Sequence, residues 1–390
     1  MATSLTNKNY LIPCFLLLTL SSFAQDKAVL LTDNPLKSSI DSAVQNGAAA
    51  YMGNAGTIGL SIGVYDNGRS YTYNYGEIKK GTGQLPKAGN IYNLGSVAKT
   101  FVGIMLAEAV IEGKANLTDD IRKFLPGSYQ NLQFDGHPVT LVDLANHTSG
   151  LPGSAGNGVM DSLKKLSLTA QLHLLTKYNQ DSLLKDMHHF KVDTIPGTKY
   201  RYNGNAMMVL ILVLEHIYHQ PYEQLVTGYL KTKLGMFDTS TQITVEQLPR
   251  FAQGYGADGQ PRVWYDQADA QKPYINTMLF YGGPSMNSTM ADMLKYIKAN
   301  LDEQDPAIRL SHQQTWGDSK GFGLGLNWMF DKDDNGDRYY FHAGHTGIGF
   351  NTLCTFYPGH KAGIIIIVND NISQDKLSEL EDVISKRLMK

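Results

Sequence analysis

The stretch Gly95-Ser96-Val97-Ala98-Lys99-Thr100 places a serine directly after a glycine and a lysine three positions later. Apolar residues recur at helical spacing over residues 101–112 and predict a helix that begins near Ser96. Because residues three apart share a helix face, the Ser96 hydroxyl and the Lys99 amine should point the same way. A serine with a base within hydrogen-bond reach is typical of a serine nucleophile. The partial positive charge of a helix N-terminus would also stabilise an oxyanion forming there.

The spacing alone does not single out this pair, because Ser-x-x-Lys occurs at four places in the chain. We expect at most one of the four to be catalytic. The other matches suggest polar helix faces or, at Ser373, a helix N-cap. The four pairs are Ser96/Lys99, Ser162/Lys165, Ser182/Lys185 and Ser373/Lys376.

The composition is that of an ordinary globular protein. The 390 residues are 42% hydrophobic and carry a formal net charge of −2. A chain of this length can build one large core or two layered subdomains. There is no basic excess, so we expect no nucleic-acid partner.

The N-terminus has the pattern of a secretory signal peptide. Lys8 precedes a short apolar run over residues 11–20, and small residues lead to Ala24. We therefore predict a signal peptide at residues 1–24, with secretion across the inner membrane to the periplasm. A buried N-terminal helix is the alternative. The run is too short to span a bilayer, and no second stretch reaches that length, so we expect no integral membrane span in the mature chain.

Cleavage after Ala24 would remove Cys14 and leave Cys354 as the one cysteine. An intramolecular disulfide would then be impossible. Pro13 and the position of Cys14 inside the apolar run argue against a lipoprotein anchor. Cys354 lies in a strand-like run, where we expect it to be a small buried hydrophobe.

Strand patterns lie at both ends of the chain, and helical patterns lie between them. An Asp66-Asn67-Gly68 turn predicts a hairpin over residues 57–75. Further strands are predicted over residues 323–329, 339–342, 351–356 and 363–368, and helices over residues 36–52, 98–112, 141–146, 206–219, 221–230, 288–301 and 373–388.

These patterns predict an α+β fold (an α/β sandwich), with an antiparallel sheet built from both termini. Helices flank the sheet, and an all-helical subdomain is inserted into it. We place the whole domain at residues 25–390, the sheet part at about residues 25–95 and 310–390, and the helical part at about residues 96–309. A cleft between the two parts would hold the site.

Residues 331–337 contain Asp333, Asn335 and Gly336 and are similar to the start of a calcium-binding loop. Position twelve of such a loop requires a bidentate glutamate, but His342 stands there. A hairpin turn at Asn335-Gly336 is therefore the favoured interpretation. We predict neither a metal site nor a cofactor.

Two further stretches contain candidate site residues. Residues 196–204 form a turn that leads into an apolar helix and contain Tyr202, a candidate proton shuttle if nearby cations lower its pKa. A tyrosine packed over a turn is the alternative. The glycine-rich stretch His342-Ala343-Gly344-His345-Thr346-Gly347 lies between two predicted strands. Such a strand admits a substrate backbone and exposes N–H groups to an oxyanion, whereas an ordinary hairpin connection is the alternative.

Ser96-Val97-Ala98-Lys99, Tyr202-Asn203-Gly204 and His342-Ala343-Gly344 fall in the order of the three motifs of serine β-lactamases and penicillin-binding proteins. Longer phrases also resemble the class C β-lactamase-related family, which includes DD-carboxypeptidases, D-aminopeptidases and esterases. The resemblance spans roughly residues 40 to 370. The phrases are residues 91–101, 112–126, 144–152, 196–202, 233–236, 282–283 with Asp292, and 342–350. It implies the β-lactamase/transpeptidase-like fold.

The resemblance implies that Ser96 is the acylated nucleophile and Lys99 its deprotonating partner. Lys99 must then be partly neutral, so burial and nearby cations should lower its pKa. Tyr202 matches the family's proton-transferring tyrosine. The third motif implies substrate binding at His342, Gly344 and His345, and the backbone N–H groups of Ser96 and His345 would form the oxyanion hole. No metal or cofactor is implied.

The sequence departs from the family pattern at Gly204, where the second motif usually has an asparagine that holds the substrate amide. Asn203 or Asn205 could replace it, and we assign Asn203 to substrate binding. His342 also differs from a lysine, because histidine titrates near pH 6.5. We hypothesise that His342 orients the substrate or Tyr202 and imposes a pH dependence.

The resemblance therefore implies a secreted serine hydrolase that forms an acyl-serine intermediate on a small amide or ester. Its substrate would be a D-amino acid peptide from the cell wall, a β-lactam or an ester. The alternative is a catalytically weak penicillin-recognising protein that binds cell-wall peptides. The absence of a Gly-x-Ser-x-Gly elbow disfavours an α/β-hydrolase. We interpret His147 as scaffolding near the cleft, and His216 and His219 as surface or core histidines.

Overall fold

The computed structural model describes residues 30–153, 165–166, 179–262, 285–318, 321–333 and 335–390. The predicted signal peptide, Ser162 and residues 282–283 lie outside the described residues. No helix in the described part of the chain is both long and apolar enough to cross a membrane.

Both ends of the chain contribute to one antiparallel sheet, as predicted. Among the described residues it has eight strands, which are β1 (Gly59–Asp66), β2 (Arg69–Gly76), β7 (Trp316–Gly317), β8 (Gly323–Leu324), β9 (Met329–Lys332), β10 (Arg338–His345), β11 (Asn351–Tyr357) and β12 (Ala362–Val368). Their order across the sheet is β2-β1-β12-β11-β10-β9-β8-β7. Two small sheets pair β3 (Ile91–Asn93) with β6 (Asn287–Thr289), and β4 (Gln133–Phe134) with β5 (His137–Pro138).

The N-terminal and C-terminal strands pair inside the sheet, where β1 and β12 are the second and third of the eight strands. Ile62 on β1 is directly opposite Ile366 on β12. All seven residues of β12 are buried, which is the pattern of a strand with both faces covered. Strands β1 and β11 cover the two edges of β12, and helices cover its faces.

Helices flank both faces and fill the region between the two strand groups. They are α1 (Ser39–Met52), α2 (Lys99–Ile111), α3 (Leu141–Ala145), α4 (Gln180–Met187), α5 (Gly204–Tyr218), α6 (Tyr222–Leu234), α7 (Met290–Asp302), α8 (Pro306–Ser311) and α9 (Gln374–Leu388). Helices α1 and α9 pack together, and α7 packs on β1 and β12. A Cβ added at Gly63 would lie 2.6 Å from Met290 Sδ, so α7 approaches β1 too closely for a side chain there.

Two local predictions need correction. Residues 323–329 do not form one strand, because the chain turns at Asn327, which has a φ of +63°, and separates β8 from β9. Asparagine is among the residues that tolerate this conformation. Ser96 does not lie in the first turn of an α-helix but in a 3₁₀ turn, Gly95–Ala98, that precedes α2. Three residues make one 3₁₀ turn, so Ser96 and Lys99 still share a face.

The favoured interpretation of residues 331–337 is confirmed. β9 and β10 form an antiparallel pair across this segment. Gly336, with a φ of +86°, donates its N–H to the Asp333 carbonyl at 2.9 Å. Cys354 is also buried on β11 as expected, and burial raises the pKa of its thiol to about 12.

Candidate active site

The 3₁₀ turn before α2 brings the predicted nucleophile and its base together. Lys99 Nζ lies 2.9 Å from Ser96 Oγ. Lys99 is only 3% exposed, and this burial lowers the pKa of its amine to about 7. The lowered pKa was expected, but burial is its cause rather than nearby cations. At neutral pH a substantial fraction of Lys99 is therefore the free amine, which can accept a proton from a hydroxyl.

Tyr202 lies on the other side of Ser96. Its hydroxyl hydrogen-bonds to the Ser96 side chain, and burial of that hydroxyl raises the pKa of Tyr202. The expectation that cations lower this pKa is wrong, even though Lys99 Nζ lies 5.1 Å from the ring centroid. The residue as a whole is 45% exposed, so solvent moderates the shift without reversing it. Tyr202 therefore keeps its proton at neutral pH.

Strand β10 lies against the Ser96 turn because Gly344 has no side chain. A Cβ added at Gly344 would lie 2.1 Å from Thr352 Oγ1 and 2.2 Å from the Leu94 carbonyl oxygen. The same point is 3.2 Å from the Ser96 backbone nitrogen. At Gly95, which has a φ of +54°, an added Cβ would lie 2.8 Å from the His345 backbone nitrogen. The backbone N–H groups of Ser96 and His345, which are expected to form an oxyanion hole, therefore both lie where the Ser96 turn contacts β10.

These groups open onto a cleft with a volume of 480 Å³. Six residues of the three motifs line it together with the segment that leads into α9. The lining residues are Ser96, Tyr202, Met329, His342, Ala343, Gly344, His345, Asn351, Asn371, Ile372, Ser373 and Gln374.

His342 faces the cleft as a neutral imidazole. Its Nδ1 lies 2.8 Å from the Ala343 carbonyl oxygen and donates to it, because a carbonyl only accepts. Burial, and then the charge of Lys99, lower the pKa of His342 to about 3. The hypothesis that His342 imposes a pH dependence near 6.5 is therefore contradicted.

The sequence matches the β-lactamase family model over residues 44–386. The chain belongs to the β-lactamase family. The D-alanyl-D-alanine-carboxypeptidase/endopeptidase AmpH of Escherichia coli K12 is 23% identical over 330 residues, which is 80% of each chain. A β-lactamase of Lysobacter lactamgenus is 26% identical over 272 residues, covering 69% of this chain and 62% of the relative.

Solved structures of this family share the fold. The D-alanine carboxypeptidase AmpC of Burkholderia cenocepacia superposes with a TM-score of 0.73 at 21% identity, covering 89% of this chain and 99% of that one. A β-lactamase/D-alanine carboxypeptidase of Pseudomonas syringae gives a TM-score of 0.72 at 20% identity, covering 90% and 99%. The predicted family and fold class are confirmed, and the protein is a serine hydrolase of the β-lactamase family.

Asn203 does not join the other predicted residues in this β-lactamase-family site. It is 2% exposed, and its Nδ2 donates to the Leu151 carbonyl oxygen at 2.7 Å. Its Oδ1 accepts the Ala206 N–H at 3.2 Å and caps α5. Asn205 is fully buried, and its Nδ2 donates to the Pro152 carbonyl oxygen at 2.9 Å. Both amides hold the backbone of residues 151–153, so the substrate-binding role predicted for Asn203 does not fit its contacts.

His147 has a larger part in the site than the sequence suggested. It is 4% exposed, its Nδ1 accepts the Asn203 N–H at 3.1 Å, and its ring centroid lies 4.4 Å from that of Tyr202. Burial lowers its pKa well below the ordinary value, so the ring is neutral. His147 thus fixes both the ring of Tyr202 and the backbone that follows it. The His147-Thr148-Ser149-Gly150 phrase was the available signal, but it indicated only the neighbourhood of the cleft.

His345 is held by its side chain while its backbone faces the Ser96 turn. Asn351 Nδ2 donates to the carbonyl oxygens of Asp370 and Ile372, so its Oδ1 is left to accept. His345 Nδ1 lies 2.7 Å from that Oδ1 and donates to it. This contact anchors the end of β10 where the His345 N–H flanks Gly95.

Proposed function

We propose that Ser96 is acylated by a small amide or ester substrate and that water then releases the acyl group. The observation that carries this proposal is the 2.9 Å contact between Lys99 Nζ and Ser96 Oγ, made by an amine whose pKa burial lowers to about 7. A neutral amine at this distance is a base for the hydroxyl.

In the proposed acylation, neutral Lys99 takes the Ser96 proton as Oγ bonds to the substrate carbonyl carbon. The backbone N–H groups of Ser96 and His345 stabilise the negative oxygen. Tyr202, which keeps its own proton, donates to the leaving nitrogen or oxygen and is reprotonated from Lys99. The substrate C–N or C–O bond breaks, and an acyl-serine remains.

In the proposed deacylation, water attacks the acyl carbon and loses its proton to the Lys99–Tyr202 pair. The Ser96–acyl bond breaks, and Ser96 Oγ regains a proton. Neutral His342 donates from Nδ1 to Ala343, so its Nε2 presents an acceptor to the cleft. That acceptor orients a donor group of the substrate.

The proposed substrate is a D-amino acid peptide of the cell wall, a β-lactam or a small ester. The names of the relatives, a D-alanyl-D-alanine-carboxypeptidase/endopeptidase and a β-lactamase, support the first two. Gly204 and the engaged amides of Asn203 and Asn205 provide no amide-holding side chain from the second motif, which favours the ester.

The proposed location is the periplasm, after removal of residues 1–24 as a signal peptide. N-terminal sequencing of the protein purified from a periplasmic fraction should begin at Gln25. A protein that starts at Met1 in the cytoplasmic fraction would contradict this location.

A second candidate function is a catalytically weak penicillin-recognising protein that binds cell-wall peptides. It is favoured by the same departure at Gly204, because a poorly held amide would be slow to react even beside an activated serine. Such a protein would be acylated by a penicillin but would release the acyl group slowly.

The decisive experiment exposes wild-type protein and Ser96→Ala in parallel to a fluorescent penicillin and to a nitrophenyl ester. We expect covalent labelling or ester turnover in the wild type and neither in Ser96→Ala. Persistent labelling without turnover would support the second candidate. Acylation at Ser96 would be refuted if the wild type were not labelled by the penicillin and did not turn over the ester.

A further inference from the structure

Two turns meet at one end of the main sheet, away from the cleft. One is the hairpin turn of Asp333–Asp337 between β9 and β10, and the other is the 3₁₀ turn Pro358–His360 between β11 and β12. They approach so closely that a Cβ added at Gly359 would lie 3.6 Å from Asp337 Cγ. Side chains from both turns therefore share one small volume.

Three ligand-type side chains converge there. His360 Nε2 lies 3.6 Å from Asp333 Oδ2 and 3.5 Å from Asp337 Oδ2. One ligand atom from each of the three residues lies within 4.8 Å of the other two. The cluster combines a nitrogen and two carboxylate oxygens.

One oxygen of the Asp333 carboxylate accepts hydrogen bonds within the turn, and the other is directed at His360. Its side chain is 6% exposed. Oδ1 accepts the N–H groups of Asn335 and Asp337 at 2.9 Å each. Oδ2 and His360 Nε2 are both buried and have no hydrogen-bond partner among the described residues. The buried carboxylate oxygen faces the buried imidazole nitrogen at 3.6 Å without a hydrogen bond, and an ion bound between the two atoms would satisfy both.

The spacing fits a metal better than a hydrogen bond. The 3.5 and 3.6 Å separations exceed the usual N–H···O range. A tetrahedral ion with bonds of about 2.0–2.2 Å holds its ligands roughly 3.3–3.6 Å apart. His360 Nε2 already stands at that separation from both carboxylates. The Asp337 side chain is 56% exposed, so a change of its rotamer would close the remaining edge of the site.

We propose that Asp333, Asp337 and His360 bind a divalent transition-metal ion, with Zn²⁺ the best fit and water as the fourth ligand. Imidazole and carboxylate ligands suit Zn²⁺, whereas Ca²⁺ and Mg²⁺ prefer oxygen alone. Two carboxylates and a neutral imidazole balance the charge of a divalent ion. The site is not the calcium loop considered from the sequence, because its ligands come from two hairpins rather than one segment.

The metal links the β9–β10 turn to the β11–β12 turn. It therefore restrains the far end of β10, the strand that contains His342, Gly344 and His345. Its expected effect is on stability rather than on the reaction itself, since the cleft residues lie at the opposite end of the strand.

The test is calorimetric titration of chelator-treated full-length protein with ZnCl2 at pH 7.5, followed by thermal melting with and without the metal. We expect one ion per chain and a higher melting temperature when it is bound. His360→Gln and Asp337→Asn should each weaken binding at least about tenfold, since each removes a ligand. Asp337 is exposed, so its variant provides a test that does not depend on refolding a buried site.

The matched control is Asp135→Asn with His137→Gln, which removes an exposed aspartate and histidine from the β4–β5 hairpin. Its binding should equal that of the wild type. No stoichiometric binding by the wild type, or equal binding by His360→Gln, would overturn the site and leave only direct contacts between His360 and the two carboxylates. Ser96→Ala should bind Zn²⁺ normally, so this result is independent of acylation.

Discussion

At the scale of single residues, the site depends on how burial changes three ionisable groups within one cleft. Burial lowers the pKa values of Lys99 and His342, which favours their neutral forms, and raises the pKa of Tyr202, which therefore keeps its proton. The sequence identified all three residues and predicted a partly neutral Lys99, but it did not give the protonation states of Tyr202 and His342. Cations do not lower the pKa of Tyr202, because burial raises it. The expected titration of His342 was wrong, because burial and the charge of Lys99 both lower its pKa.

Activity should increase with pH through about 7. The pKa of Lys99 is lowered from 10.5 to about 7, and only the neutral amine accepts the Ser96 proton. The neutral fraction therefore falls below pH 7 and saturates above it. The measurement is kcat/KM for nitrophenyl ester turnover from pH 5.5 to 9. A rate that is flat across this range would show that Lys99 is not the base.

Two substitutions of His342 test separately the loss of its imidazole and the addition of a positive charge at its position. Because burial holds the pKa of His342 at about 3, His342→Asn should reduce the rate yet leave the midpoint of the pH profile unchanged. His342→Lys adds a cation beside Lys99 and should move that midpoint below pH 7, since like charges disfavour the protonated amine. If His342→Asn abolished the pH dependence, the titrating group would be His342 after all.

His147 is expected to position Tyr202 rather than to react. His147→Ala leaves the buried Asn203 N–H without its acceptor, at a cost of about 1–3 kcal/mol in stability. It also frees the Tyr202 ring, and kcat should fall by up to about 100-fold with a smaller change in KM. His147 has a φ of +57°, which asparagine tolerates, so His147→Asn should recover part of both losses. Equal losses in the two variants would contradict a positioning role.

At the scale of elements, the site is a junction between the 3₁₀ turn before α2 and strand β10. The predicted helix and strand are both present, and the predicted Ser96–Lys99 spacing survives although the local helix type differs. What the local pattern could not indicate is how closely the two elements approach. That distance depends on Gly344, whose neighbours belong to segments far away in the chain.

Gly344→Ala should separate β10 from the Ser96 turn. The new methyl group would lie about 2 Å from Thr352 Oγ1 and the Leu94 carbonyl oxygen, so the strand must shift. A displacement of this kind should lower kcat/KM about 100-fold and stability by about 1–3 kcal/mol. Ester kinetics and thermal melting provide the measurements. Gly228→Ala is the matched control, because an added Cβ there meets nothing within 4 Å.

At the scale of the whole molecule, the main sheet is continuous only when β12, the last strand in the chain, lies between β1 and β11. β12 pairs with β1 on one side and with β11 on the other. This placement agrees with the sheet predicted from both termini. The order of the strands was not predictable from alternation alone, because alternation defines the faces of a strand but not its neighbours.

Removal of residues 362–390 should therefore prevent folding rather than trim an edge. The deletion takes out the interior strand β12 and helix α9, which leaves β1 and β11 each with one exposed, unpaired edge. We expect loss of the cooperative thermal transition, measured by circular dichroism, and aggregation of the product. Deletion of Met389 and Lys390 alone, which lie beyond α9, should leave the transition intact. A cooperative transition in the longer deletion would show that β12 is dispensable.

The sequence by itself determined the features that depend on short-range spacing and on the order of motifs. These are the Ser96–Lys99 pair, the positions of Tyr202 and His342, the turn at Asn335-Gly336, and an α+β fold with strands at both ends. Only the tertiary structure decided the protonation of Lys99 and His342, because burial arises from contacts among distant segments. It also decided that the Asn203 amide donates to the Leu151 carbonyl oxygen, and that His360 meets Asp333 across two hairpins. Such contacts depend on three-dimensional packing, which residue spacing along a chain does not specify.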